Sequence, residues 1–226
     1  MNKTILSLVC AVAIGSVASP IYADNITDRQ KERKELAKAS KKQLNEKATK
    51  QARKEAKNLQ KQGWTVAPGA LPIEKQLDRS YLMQYEFDND GYQTYIMAEG
   101  MSVGGSYDAA KMQALELAKQ NLAGQIQTEI TALVENSVSN EQLTEGEVAT
   151  VTRSVLASKN LISQSLGRVI PVVELYRPTE KNNKEVLVRL AYNTLNAKRA
   201  AIKAIEQDLG ERADSLHVKL NKILGL

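Results

Sequence analysis

An α+β fold is predicted, with a small antiparallel or mixed sheet covered by helices, and three observations predict it. Apolar residues recur at helical spacing through residues 106–160, switch to alternation between about 166 and 192, and return to helical spacing toward the end. With one earlier alternating run near residue 95, the order is strand, helix, helix, strand, strand, helix, preceded by a long N-terminal helix. The chain is 42% hydrophobic and 25% charged, a balance that suits a packed core and excludes wholesale disorder. One Cys and one His exclude a disulfide framework, a Cys-rich zinc site and a His-rich metal cage.

Composition divides the chain into four segments. Residues 1–23 read as an export signal: Lys3 supplies the positive start, Ile5 to Val17 the apolar run, and Ala23 the small residue at the cleavage position. Cys10 lies inside the apolar run behind Val9, where a lipid-bearing site requires a small residue, so it is discarded with the signal. The expected address is the periplasm or the exterior, with peripheral outer-membrane association the closest the mature chain comes to an anchor.

Residues 24–62 form a basic arm, with 13 Lys or Arg against 6 acids, whereas residues 63–226 are net acidic by three. The arm has no Gly or Pro before Gly63 and is rich in Lys, Glu, Gln and Ala, which predicts a helix. Its apolar positions, Leu36, Leu44, Ala48, Ala52, Ala56 and Leu59, wind around the helix at four-residue steps. The expectation is a solvated helix loosely attached to the rest. As a polyanion contact it would meet an anionic membrane surface; as an ordinary Lys/Glu helix it meets nothing specific. Export argues against nucleic acid as a partner.

Residues 63–91 are a linker and a short helix. Gly63 stops the arm, Pro68 and Gly69 mark a turn, and Pro72 opens a helix through Ile73, Leu77, Tyr81 and Tyr85. Alternation of Tyr81, Met83, Tyr85 and Phe87 offers a strand instead, and the helix is preferred. Asp88-Asn89-Asp90-Gly91 is a turn, not a calcium loop, because its Gly comes too early.

The α+β domain spans residues 92–226. A strand from about Gln93 to Val103 places Tyr95, Met97, Met101 and Val103 on one face, and Gly104 and Gly105 end it. Ser106 caps a long helix whose apolar face runs through Met112, Leu115, Leu122, Ile126, Ile130 and Leu133, with Asn121, Gln125 and Glu129 away from it. Thr144 and Glu147 make a capping box before Val148, Val151 and Val155. Leu166 to Tyr176 is a strand with Pro171 at a bulge or edge, paired across a polar turn with Val186, Val188, Leu190 and Tyr192. A last helix runs from about Thr194 to Leu224.

The stretch from Ser106 to Ile126, an Ala-rich helix ending in Asn121-Leu122-Ala123, resembles the twenty-kilodalton outer-membrane lipoprotein family, as does the later strand Val186 to Leu190. That family includes the flagellar assembly lipoprotein P and the N-terminal domain of a flagellar T-ring protein. The resemblance covers about residues 92–205 and implies an envelope structural or adaptor role without catalysis. The chain departs from the family in lacking a lipid-bearing Cys.

No catalytic, cofactor-binding or metal-binding residue is assigned. His217 has no Cys, Asp or Ser arranged around it, no Ser sits in a Gly-x-Ser-x-Gly elbow, and Gly100, Gly104 and Gly105 match no phosphate-binding fingerprint. The remaining signal is aromatic: Trp64, Tyr81, Tyr85, Tyr92 and Tyr95 crowd into one segment. They either close the core around the first strand or form a partner contact, since Tyr and Trp suit half-buried interfaces. The expectation is a non-enzymatic envelope binding or scaffold module that engages another envelope protein or itself. The alternatives are a hydrolase assembled from scattered Ser, Lys and carboxylates, and a membrane-surface binder acting through the arm.

Overall fold

The computed structural model describes residues 31, 33–35, 38, 42, 45–139, 143–210 and 213–226. The expected export signal, Cys10 and most of the expected N-terminal helix lie outside these residues. The chain divides into two compact units, residues 1–47 and 48–226, and the second holds the sheet with its covering helices.

The elements of this second unit are α1 (Lys50–Lys61), α2 (Ile73–Gln84), β1 (Tyr95–Gly104), α3 (Tyr107–Ser139), α4 (Glu145–Ala157), α5 (Lys159–Ser165), β2 (Ile170–Pro178), β3 (Lys184–Asn193), α6 (Thr194–Leu209) and α7 (Ala213–Leu224). The three strands form an antiparallel sheet in the order β1-β3-β2. The fold is thus α+β with a small sheet covered by helices, as the periodicity predicts.

Local chemistry sets the element ends. Thr49 caps α1 by accepting the Ala52 N–H (3.3 Å), and Gly63, in the left-handed region at φ 87°, turns the chain after the helix. Pro72 stands at the N-cap of α2, one place before the expected first turn. Ser106 Oγ accepts the Ala109 N–H (3.2 Å) at the start of α3. The capping box of α4 is complete: Glu147 N–H donates to Thr144 Oγ1 (3.3 Å) and Thr144 N–H to Glu147 Oε2 (2.9 Å). The Lys219 ammonium on α7, 2.6 Å from Glu147 Oε1, and then the Thr144 N–H pull the Glu147 carboxyl down to about 2. Pro171 sits at a register shift of the β2–β3 ladder, so Val172 and Val173 are both buried. The expected single C-terminal helix is two, because the chain turns at Gly210 with φ 56°.

One face of the sheet lies on the first half of α3. There Ala110, Ala114 and Ala118 meet Val186, Val188 and Leu190, and all six are buried. A Cβ added to Gly100 would fall 2.1 Å from the Ala114 carbonyl oxygen and 2.4 Å from the Ala118 nitrogen, so only glycine allows this approach. This packing bears on two expectations. Tyr95, Met97, Met101 and Val103 do share one face of β1, but the face that points to α3 is the other, with Ile96, Ala98 and Gly100, and Met101 and Val103 are about half exposed. Met112 is exposed, and the small residues Ala110, Ala114 and Ala118 form the buried seam instead, because a helix this close has no room for long side chains.

The second half of α3 runs past the sheet and packs with α4 to α7. Leu122, Ile126, Ile130, Val151, Ile205 and Leu220 form this larger core, each no more than 2% exposed. The opposite sheet face is covered by α2, with α1 packed on α2. Ala52 and Ala56 are buried beside Ile73, Leu77 and Trp64, which corrects the expectation of loose attachment for the last part of the arm, residues 50–61. Over so few turns the alanine stripe winds little, and α2 supplies a surface that fits it.

The outer edge of β2 is closed by segments far from it in sequence. Thr65 exchanges two backbone hydrogen bonds with Tyr176 (2.8 and 2.9 Å). Gln76, 5% exposed, accepts the Glu174 N–H through Oε1 (2.7 Å) and donates through Nε2 to the Leu71 carbonyl (2.8 Å). On β1, Asn121 Nδ2 donates to the Glu99 carbonyl (2.7 Å), giving this residue of the polar row on α3 a structural task.

Candidate functional site

The five aromatic residues singled out by the sequence separate into two groups. Trp64 is 5% exposed and lies in the core, its ring 4.6 Å from the guanidinium of Arg177, which also binds Glu185 (2.6 Å). Tyr95 is half-buried against the same core. Tyr81 is half-buried and donates its phenol proton to Glu55 of α1; burial, then this hydrogen bond, push it up to about 12. These three hold the α1–α2 layer in place.

Tyr85 and Tyr92 stand in solvent, 69% and 70% exposed, and Phe87 joins them at 54%. All three belong to the connection between α2 and β1. Their backbone is braced tightly for a loop. Asp88 Oδ1 accepts the N–H groups of Asp90 (3.0 Å) and Tyr92 (2.8 Å), an Asx-type turn inside the predicted Asp-Asn-Asp-Gly segment. Asp88 N–H donates to Tyr92 O (2.8 Å) and Thr94 N–H to Glu86 O (2.9 Å), closing a small hairpin. Gln93 is tied at both ends, its side-chain amide donating to Gln84 O (3.2 Å) and its carbonyl accepting from Thr194 Oγ1 (2.7 Å). Three large rings are thus displayed on a fixed support.

Beneath this hairpin lies a cleft of about 580 Å³, within the size range of ligand and side-chain pockets. Phe87, Tyr92, Ile96, Leu133, Ile223 and Leu224 supply its apolar walls. Glu129 is the only carboxylate in the lining, accompanied by Lys198 and Lys222. Burial pushes the Glu129 carboxyl up, and the charge of Lys198 opposes that shift. The cleft can take an apolar or aromatic group and fix a charged or hydrogen-bonding neighbour at its polar end. Sequence reasoning set Glu129 off the apolar face without giving it a role, and it missed the wall from α7. The signal for Glu129 was its place in the polar row Asn121, Gln125 and Glu129 at four-residue steps on α3.

The single histidine is engaged away from the cleft. His217 Nδ1 faces Glu206 and Nε2 lies 3.0 Å from the Asn221 amide, so with Nδ1 protonated both ring nitrogens are occupied. Among the described residues no group of three or more His, Cys, Asp or Glu side chains is arranged to hold a metal ion, and no helix is long and apolar enough to cross a membrane. Lys50, Arg53, Lys54 and Lys57 of α1 are exposed and line a groove together with Glu74, and Lys61 is exposed at the end of the same helix. The chain matches no family model, no curated protein and no solved structure.

Proposed function

We propose that this protein is an exported, non-enzymatic cell-envelope module that works by binding, either to another envelope protein or to a second copy of itself, through the aromatic hairpin and the cleft beneath it. The observation that carries the reading is the display of Tyr85, Phe87 and Tyr92 on a braced turn beside an apolar cleft. Exposed aromatic clusters on rigid supports are costly to leave in water and are typical anchors of protein interfaces. The resemblance of residues 92–205 to the twenty-kilodalton outer-membrane lipoprotein family supports an adaptor role. The export signal in residues 1–23 supports the envelope as the place.

A photo-crosslinking amino acid at position 89, exposed in the same turn, in the protein expressed in its own cells, tests this. The expected result is a discrete cross-linked product, either a dimer or one heterologous species. The triple variant Tyr85→Ser, Phe87→Ser, Tyr92→Ser loses it, and a probe at exposed Met112 does not give it. Cross-linking that survives the triple variant overturns the reading, and multiple turnovers of a substrate by the purified protein overturn it in favour of the hydrolase.

A second reading has its own observation. Four basic side chains of α1, Lys50, Arg53, Lys54 and Lys57, line one groove, which favours contact with an anionic membrane through residues 50–61. Salt-sensitive sedimentation with anionic vesicles, abolished by charge neutralisation of α1, is expected on this reading, and unchanged sedimentation removes it.

A further inference from the structure

Across the described residues most cations near the sheet are matched. Lys111 pairs with Glu174, Arg177 with Glu185, Arg189 with Glu99, and Lys219 with Glu147. One cluster breaks this pattern. Between the end of α5 and the start of β2 the chain passes the first turns of α6, and a cleft of about 440 Å³ opens there. Arg168 enters it from the connection, and Arg199 and Lys203 enter it from α6, four residues apart and so on one side of the helix. All three are exposed, no carboxylate lines the cleft, and none of the three has an ion-pair or hydrogen-bond partner among the described residues.

The floor of the cleft adds a directed donor. Tyr192 is 6% exposed, and its phenol oxygen accepts the Gly167 N–H (3.3 Å). That bond fixes the position of the oxygen and uses one of its lone pairs, leaving the O–H hydrogen free to donate into the cleft. No acceptor for it exists among the described residues. The Ser165 hydroxyl and the Asn196 amide lie in the same lining and add further donors. Three like charges held together without a counter-charge repel one another, and a bound anion relieves that repulsion. Guanidinium groups match phosphate oxygens in a bidentate fashion, and a buried phenol supplies an orienting hydrogen bond.

We propose that this cleft is a binding site for a phosphate monoester dianion, with Arg168 and Arg199 gripping its oxygens, Lys203 supplying charge and Tyr192 setting its orientation. The same head chemistry occurs on free phosphorylated small molecules and on phosphatidic acid, and the experiment separates these sources.

The full chain is titrated with glycerol 3-phosphate, followed by amide chemical shifts and calorimetry, and separately mixed with phosphatidylcholine vesicles with and without phosphatidic acid. Saturable binding is expected, with the largest shifts at Gly167 and Asn196. Arg199→Gln and Arg168→Gln each weaken binding about tenfold or more, as loss of one bidentate contact predicts. Tyr192→Phe weakens it less, and the exposed Arg variants carry the test if Tyr192→Phe fails to fold. Lys57→Gln on α1 and the Tyr85, Phe87, Tyr92 triple variant leave binding unchanged, which keeps this site separate from the α1 surface and the aromatic hairpin. Saturation by glycerol 3-phosphate assigns a free phosphomonoester. Vesicle binding that requires both phosphatidic acid and Arg199, without such saturation, assigns the lipid. Absence of both overturns the proposal, as does weakening by Lys57→Gln equal to that by Arg199→Gln, which would mean diffuse charge attraction.

Discussion

Against α3 the sheet offers Gly100, Ala98 and Val188 to a seam of Ala110, Ala114 and Ala118, and against α2 it offers Met97, Arg189 and Val173 to Leu77, Ser80 and Gln76. On the first side small residues meet at the point of closest approach, and at Gly100 the strand backbone comes close against that of α3. On the second, long side chains and directed polar contacts bridge a wider gap: Arg189 donates to Ser80 Oγ (2.7 Å) and to Glu99 (2.5 Å), and Gln76 spans from Leu71 to Glu174. Contact between small residues gains dispersion along a whole helix but tolerates no added atom. A clasp of long polar side chains tolerates bulk and instead fails when a hydrogen-bonding group is removed.

The largest expected effect probes the first side. Gly100→Val drives two methyl groups toward the Ala114 and Ala118 backbone, which cannot shift without moving α3. A loss of about 3 kcal/mol or more is expected from the denaturation midpoint, at the upper end of overpacking costs. A loss below about 1 kcal/mol would break the contrast between the faces. On the second side, Gln76→Ala leaves the Glu174 N–H and the Leu71 carbonyl without their partner. About 1–3 kcal/mol is expected to be lost by the same measurement, with faster hydrogen exchange at Glu174 as the sharper readout.

Alkaline pH discriminates the faces more finely, because each carries one phenol bound to a carboxylate. Tyr81 donates to Glu55 on the α2 side and Tyr107 to Glu174 on the α3 side. Burial first, then the carboxylate partner, raises both, Tyr81 from 10.0 to about 12 and Tyr107 further still. A raised folded value means the contribution is complete below the unfolded value near 10 and disappears as pH rises through the folded one. Stability is therefore expected to fall between about pH 10 and 12 through Tyr81, and Tyr81→Phe removes that part of the decline while Tyr107→Phe removes a later part. The smallest effect is expected where neither face is involved. Tyr85→Ser and Phe87→Ser change stability by no more than about 0.5 kcal/mol by thermal melting, since both rings are already in water.

The aromatic segment shows how far the site was legible. Composition singles out Trp64, Tyr81, Tyr85, Tyr92 and Tyr95 as a crowd but cannot divide them. The division depends on α1, which buries Trp64 and Tyr81, and on the Asp88 turn, which lifts Tyr85 and Tyr92 away from the core. The cleft below them draws Glu129 from α3 and Ile223 from α7, almost a hundred residues apart, and no local spacing relates such positions.

What the sequence by itself determined is chemistry that closes within a few residues. The Ser106 cap, the Thr144–Glu147 capping box, the Asp88 turn, the Pro171 irregularity and the alternation of β3 each pair a donor and acceptor, or a pattern and a period, over a short span. What only the tertiary structure decided is which face of a two-faced element is buried. In β1 the larger residues Met101 and Val103 promise more hydrophobic gain, yet Gly100 and Ala98 face α3, because the approach of a helix backbone to a sheet is limited by steric volume before it is rewarded by apolar area.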